Sequence, residues 1–204
     1  MRWRAFRAIV RIRMRTLMTY RAAALSSLCV NAMWGAIRAA VLILFYRWGR
    51  SQGAGVTLAQ SVSYAWLSQC LISLVPFSAD PEISRQITTG SFAYELCRPL
   101  DLYAHWFARL TADRLTPFVM KSAPLFLATV LLPAPWGLSA PASAAGVVAA
   151  VGAMALAVPL SCAFGMLLVV NMLWIERGAG VGPLLSSAAY LLSGTVVPLS
   201  LYPG

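Results

Sequence analysis

The chain has 204 residues, of which 60% are hydrophobic and 11% are charged, and its formal net charge is +10. A soluble domain carries about 25% charged residues, because its surface must be solvated by water. The composition therefore excludes a soluble globular domain and predicts an all-α integral membrane protein, since the long apolar stretches lack the alternation of barrel strands.

The first 21 residues predict an amphipathic helix that lies on the membrane surface. An apolar stripe runs beside a basic stripe, and the members of each stripe are three or four residues apart. The apolar stripe is Trp3, Phe6, Val10, Met14 and Leu17, and the basic stripe is Arg4, Arg7, Arg11 and Arg15. Such a helix buries its apolar face among acyl chains while its cations reach the phosphates of membrane lipid. A cleaved signal peptide is disfavoured because the basic part is too long, and binding to nucleic acid is not expected beside a membrane helix.

Five stretches are long and apolar enough to predict membrane helices, since a span needs about 20 mostly apolar residues. They cover residues 22–45, 56–77, 102–132, 144–173 and 181–199, and all belong to a single domain, 1–204. The apolar part of the third stretch runs from Leu115 to Leu132, so its first turns extend into the preceding loop. The fourth stretch is one long helix, which can kink at Pro159.

The distribution of arginine predicts that the N-terminus is cytoplasmic. Twelve arginines precede the first span or fall in the loops after the second and fourth spans, whereas two follow the first span. Loops that are rich in Lys and Arg stay on the cytoplasmic side. The loop 78–101 is therefore expected to be cytoplasmic.

Motifs of enzyme chemistry are absent from the sequence. The only histidine is His105, which excludes a two-histidine zinc motif, and the only lysine is Lys121. Lys121 is followed by a serine, but Met120 stands where a P-loop requires glycine. We therefore expect no enzyme activity, no cofactor and no metal site in this chain.

The cytoplasmic loop is predicted to contain two short helices. Asp80 is a good N-cap in front of a proline, and Gly90 suits the left-handed residue that ends a helix, which predicts a helix over Pro81–Thr89. A second helix is predicted over Ser91–Cys97, and Asp101 can cap the next helix. Short rigid helices between two spans suit the transmission of force from a soluble partner.

At these residues the chain resembles the permeases of type-2 ATP-binding-cassette transporters, in the bacterial branch that includes drug and viologen exporters. The shared loop pattern is an acidic residue, a short helix, a glycine and a Leu-x-Arg-Pro-Leu-Asp run. In this sequence these positions are Glu82, Ile83, Gly90, Leu96, Arg98, Pro99, Leu100 and Asp101. The residues Tyr20-Arg21-Ala22 and the segment 193–199 are similar to the same family, so the resemblance covers essentially the whole chain in order.

The resemblance implies a permease subunit of an exporter in the bacterial cytoplasmic (inner) membrane. Such a subunit pairs with a second permease subunit and is driven by a separate ATP-hydrolysing subunit. The first loop helix would be the coupling helix that docks on the ATPase, and the resemblance places the coupling residues at Glu82, Ile83, Ser84, Arg85, Gln86, Gly90, Arg98, Pro99, Leu100 and Asp101. The family has a sixth span, so we expect either a sequence truncated after Gly204 or an incomplete bundle.

Two charges in the apolar parts of the predicted spans, Arg38 and Lys121, leave two interpretations open. They line a path for an anionic or amphipathic substrate, or Arg38 reaches a headgroup and Lys121 is paired at a packed interface. Two other classes of protein also stay open. A secondary transporter would carry carboxylates near the middle of its spans, and the apolar parts of the predicted spans have none. A membrane scaffold or assembly protein is the other class, and its amino-acid composition does not distinguish it from a transporter.

Overall fold

The computed structural model describes residues 3–49, 56–75, 79–97, 101–141, 143–174 and 181–193. Every regular element in these ranges is helical, as the sequence predicts. The helices are α1 (Trp3–Thr19), α2 (Arg21–Arg47), α3 (Leu58–Leu71), α4 (Pro81–Thr88), α5 (Ala93–Leu96), α6 (Leu102–Pro117), α7 (Ala123–Leu131), α8 (Ala144–Trp174) and α9 (Val181–Leu192).

Two of these helices, α2 and α8, are long and apolar enough to span a membrane. They correspond to the first and fourth predicted spans, and α8 continues through Pro159 as one helix. The prediction of five spans is not confirmed by the same criterion, because the other helices in the described residues are shorter.

The second and third predicted spans are interrupted, each for a local reason. After α3 the chain makes a 3₁₀ turn over Ile72–Leu74, and Val75 is extended with ψ 124°. Val75 precedes a proline, whose ring disfavours the helical conformation of the residue before it. The third predicted span is α6, a π-helical turn over Phe118–Ser122, and α7. Prolines flank this turn and lack the N–H that an α-helix needs, and a wider turn accommodates the break.

The last predicted span, 181–199, is only partly described. Its helix α9 ends at Leu192, and the residues from 194 onward lie outside the described ranges. Where the fifth predicted span ends is therefore not tested.

One part of the core lies between α2, α3 and α7. The indole of Trp66 packs directly on the backbone of Gly35, where a Cβ atom would overlap the ring. Trp66 is 4% exposed, and its Nε1 donates a hydrogen bond of 2.7 Å to the carbonyl oxygen of Trp136. Ala39 and Leu125 are buried in the same cluster. The missing side chain at position 35 thus lets α2 and α3 approach closely.

The other part of the core lies between α4, α6 and α8. Ile83 of α4 is buried there with Trp106 and Leu110 of α6 and with Met166 and Val169 of α8. The N-terminal helix α1 lies along α6. This packing brings α1, α4 and the middle of α6 together.

The outward faces of α2, α7, α8 and α9 leave many large apolar side chains exposed. They include Val30, Trp34, Ile37, Val41, Leu127, Leu131, Val148, Leu156, Leu160, Leu184 and Leu192. Monomeric soluble proteins rarely expose apolar area on this scale. These faces are suited to contact with lipid or with another chain.

Candidate functional site

Helix α4 begins and ends as its sequence predicts. Oδ1 of Asp80 accepts hydrogen bonds from the backbone N–H groups of Glu82, at 2.8 Å, and Ile83, at 2.9 Å. Pro81 occupies the first helical position. Gly90 follows the end of the helix with a φ of +70°, in the left-handed region that favours glycine. The helix ends at Thr88, one residue before the predicted end.

Five charged side chains, hereafter the charge cluster, join α1, α4 and α6: Arg13, Asp80, Glu82, Arg109 and Asp113. The Nη2 atom of Arg109 lies 2.7 Å from Oε2 of Glu82 and 3.8 Å from Oδ1 of Asp80. The Nη1 atom of Arg13 lies 3.2 Å from the same Glu82 oxygen, and its Nε donates to Oδ1 of Asp113 at 2.9 Å. Charged partners on α1 and α6 therefore hold the first turn of α4 in place.

The pKa values of the two aspartates of the charge cluster are shifted in opposite directions. Burial and the neighbouring carboxyl group of Asp80 raise the pKa of Asp113 to about 6. Burial alone would also raise the pKa of Asp80. The neighbouring Asp113, the hydrogen bonds from the N–H groups of Ile83 and Glu82 and the charge of Arg109 instead hold that pKa below its usual range.

The inner face of α4 is apolar next to the charge cluster. The side chain of Ile83 is fully buried among residues of α6 and α8. The hydroxyl of Ser84 donates to the Asp80 carbonyl oxygen at 2.7 Å, and its oxygen lies 3.3 Å from the sulfur of Met172 in α8. Helix α4 is therefore attached to α8 as well as to α6.

A single carboxylate ties α5 to both of its neighbours. Oε1 of Glu95 accepts a hydrogen bond from Gln86 of α4, and Oε2 accepts one from the indole N–H of Trp106 in α6, each at 3.0 Å. Helix α5 has only four residues, too few to be stable alone. Its position is therefore set by the bonds of Glu95.

The predicted coupling residues fall into three groups. The side chains of Glu82, Ile83, Ser84 and Gln86 face the protein, through the contacts described above. Arg85, Gly90 and Asp101 are exposed, and Asp101 caps α6 by accepting from the N–H of Tyr103 at 3.1 Å. Arg98, Pro99 and Leu100 lie outside the described residues. Beside Arg85 and Gly90, Thr88, Thr89 and Tyr94 are also exposed.

The apolar stripe of α1 faces α6 in part. The ring of Phe6 lies 6.5 Å from that of Phe107, centroid to centroid, and Val10 is half-buried. Trp3 stacks on Phe6 but is 69% exposed. Arg4, Arg7, Arg11 and Arg15 are all exposed, so the basic stripe faces outward.

The two charges in the predicted spans lie in different surroundings. Arg38 is half-buried, and its Nη1 lies 3.4 Å from the hydroxyl of Ser68 in α3. Lys121 belongs to the π-helical turn, where it is half-buried. Its amino group forms no hydrogen bond or ion pair with any residue that the structure describes.

The charge cluster is not predicted by the sequence. Its members come from α1, α4 and α6, and only packing brings them together. Two signals were present in the sequence. Arg13 falls outside the basic stripe of α1, and Asp113 is a carboxylate just before an apolar stretch. A charge in either position calls for a partner of opposite sign.

Comparison with known proteins identifies no relative. A scan against protein-family models, a search of curated proteins and a search of solved structures return no match to this chain. Any assignment of function therefore depends on the residues and contacts of the chain itself.

Proposed function

We propose that the chain is the membrane-spanning permease subunit of an ATP-binding-cassette exporter. It would reside in the bacterial cytoplasmic membrane as a multi-pass protein with a cytoplasmic N-terminus. A second permease subunit would complete the substrate pathway, and a separate subunit would hydrolyse ATP. The observation that carries the proposal is helix α4, which is held firmly on one face and exposed on the other.

Helix α4 has the properties that a force-transmitting element needs. Its N-terminus is capped by Asp80, its first turn is bound by Arg13 and Arg109, and Ile83 is packed between α6 and α8. A force applied to its exposed surface would therefore be transmitted to α6 and α8 through these contacts. The exposed surface offers Arg85, Thr88 and Gly90, whose backbone and side chains are accessible to a partner.

The membrane assignment is supported by helix length and by exposed apolar faces. Helices α2 and α8 are long and apolar enough to span a bilayer, and their outer faces carry Trp34, Val41, Leu156 and Leu160. The α6–α7 rod contains 30 residues from Leu102 to Leu131, which corresponds to about 45 Å at the rise of an α-helix. That length suffices for a third span whose first turns project into the cytoplasm. We propose α3 and α9 as the second and fifth spans.

A test of the proposal is co-purification with an ATPase. The chain is expressed with a tag in its native bacterial host, and the proteins that co-purify with it from solubilised membranes are searched by mass spectrometry for an ATPase with a P-loop. The double variant Arg85→Glu/Thr88→Glu changes two exposed residues of α4. The control, Arg47→Glu/Trp48→Glu, changes two exposed residues at the far end of α2.

We expect the α4 variant to lose the ATPase while the control retains it. Retention of the ATPase by both variants would show that α4 is not the docking element. The absence of an ATPase from the complex of the unaltered chain would contradict the proposed function.

A further inference from the structure

A groove runs along α1 beside α6, outside the charge cluster. Its volume is about 920 Å³, within the range of ligand-binding clefts. One wall carries the basic stripe, Arg4, Arg7, Arg11 and Arg15. The rest includes apolar side chains, among them Met14 of α1 and Leu115 of α6. Cationic and apolar groups therefore face one space.

The four arginines of the groove lack partners in the part of the chain that the structure describes. Their side chains are exposed, and their guanidinium groups form no hydrogen bond or ion pair with any described residue. Arg13, on the same helix, contacts three carboxylates. Like charges three or four residues apart on a helix repel one another. The basic stripe is thus a row of cations whose repulsion an external anion would relieve.

We propose that this groove binds an anionic glycerophospholipid. Guanidinium groups of Arg7 and Arg11 hold the phosphate, for which their planar pairs of N–H donors are well matched. The acyl chains lie along the apolar side chains, including Met14 and Leu115. A soluble phosphate compound would leave that apolar wall exposed to water, and this favours a lipid as the occupant.

This site differs from general adsorption of a basic helix to a charged bilayer. Adsorption needs only α1 and has no fixed stoichiometry. The groove also has a wall from α6, contributed by Thr111 and Leu115, so it holds a lipid in a defined place on the folded chain. The inference does not depend on an ATPase partner, and each can fail without the other.

The experiment measures lipid binding to the full chain in mild detergent by native mass spectrometry. Phosphatidylglycerol is the anionic probe, and phosphatidylcholine of the same chain length is the neutral one. The double variant Arg7→Gln/Arg11→Gln removes two arginines of the groove. The matched control Arg21→Gln/Arg47→Gln removes the same charge from exposed positions that do not line it.

We expect phosphatidylglycerol to bind more tightly than phosphatidylcholine. Each groove arginine removed should weaken that binding about fivefold, from a contribution of about 1 kcal/mol per arginine. The control variant should bind as the unaltered chain does. Equal binding of the two lipids, or equal losses in both variants, would overturn the proposal. Complete displacement of the lipid by inorganic phosphate would also overturn it, since the apolar wall would then contribute nothing. The comparison of two lipids on the unaltered chain needs no variant to fold.

Discussion

Glu82 and Arg109 form an ion pair across 27 residues of sequence, with 2.7 Å between Oε2 and Nη2. The side chain of Arg109 is only 9% exposed, and the same Glu82 oxygen also accepts a hydrogen bond from Arg13. A buried guanidinium needs an anionic partner to offset the cost of its desolvation. The pair therefore fixes the first turn of α4 to the middle of α6, and displacement of one helix must move the other.

Glu82→Gln should destabilise the protein by about 1 to 3 kcal/mol, because a buried Arg109 then loses its closest anion. Asp80, at 3.8 Å from Nη2 of Arg109, offsets part of the loss. Thermal unfolding of the purified chain in detergent measures the effect. The control Arg85→Gln, on the exposed face of the same helix, should change stability by less than about 0.5 kcal/mol. Equal melting temperatures for Glu82→Gln and the control would show that the pair contributes nothing.

The stability of the chain should depend on pH through Asp113. Burial raises the pKa of this group to about 6, so the folded chain binds the proton more tightly than the unfolded chain does. The stability due to that proton is present in acid and is lost as the pH rises from about 4 to about 6. The contribution of Asp80 to stability depends on pH in the opposite direction. Its pKa is lowered, and its contribution is lost as the pH falls through the folded value.

The variant Asp113→Asn tests this dependence, because the side chain of asparagine is neutral at every pH. The melting temperature of the variant should change less than that of the unaltered chain between about pH 4 and about pH 6. Parallel pH profiles for Asp113→Asn and the unaltered chain would contradict a raised pKa of Asp113.

Gly90→Ala should cost about 1 to 2 kcal/mol, since alanine is strained at a φ of +70°. A Cβ atom at this position meets no other atom within 4 Å, so the cost comes from the backbone alone. Gly152→Ala is the matched control, because position 152 has equally open space but lies inside helix α8. That change should be neutral or stabilising by up to about 1 kcal/mol. Chemical denaturation of both variants in detergent measures the difference, and equal effects would exclude a special role for the left-handed turn.

Gly35→Ala should destabilise the contact between α2 and α3 by about 1 to 3 kcal/mol through overpacking. The new methyl group would overlap the indole of Trp66, and the hydrogen bond from that indole to Trp136 prevents it from moving away freely. Trp66→Phe removes the hydrogen bond and part of the bulk. The double variant Gly35→Ala/Trp66→Phe should therefore lose less stability than the two single changes added together. Additive losses, measured by thermal unfolding, would contradict direct contact at position 35.

Features that depend on a few consecutive residues could be predicted from the sequence. The cap at Asp80, the stop at Gly90 and the cap at Asp101 each follow from the chemistry of one turn, and the structure has all three. Helices α2 and α8 follow from long apolar runs. Such signals depend only on neighbouring residues, so they can be recognised in the sequence before the fold is known.

Features that depend on packing could not be predicted. Arg13 falls outside the basic stripe of α1, and only the approach of α4 and α6 makes it a partner of Glu82 and Asp113. The resemblance implies Ile83 as a coupling residue, but it does not predict that this side chain is buried between α4, α6 and α8. A motif identifies a residue, but the contacts of that residue depend on neighbours that are distant in sequence.

The most direct measurement is a cross-link between α4 and its partner in intact membranes. Thr88→Cys, in a chain whose native cysteines are replaced by serine, is treated with a thiol-to-amine cross-linker, and the product is identified by mass spectrometry. The proposed function predicts a cross-link to a P-loop ATPase, with a yield that changes when ATP is added. Ser139→Cys, exposed at the loop after α7, should give no such product. Cross-linking of the ATPase to Ser139→Cys and not to Thr88→Cys would contradict the proposal that α4 transmits force from an ATPase.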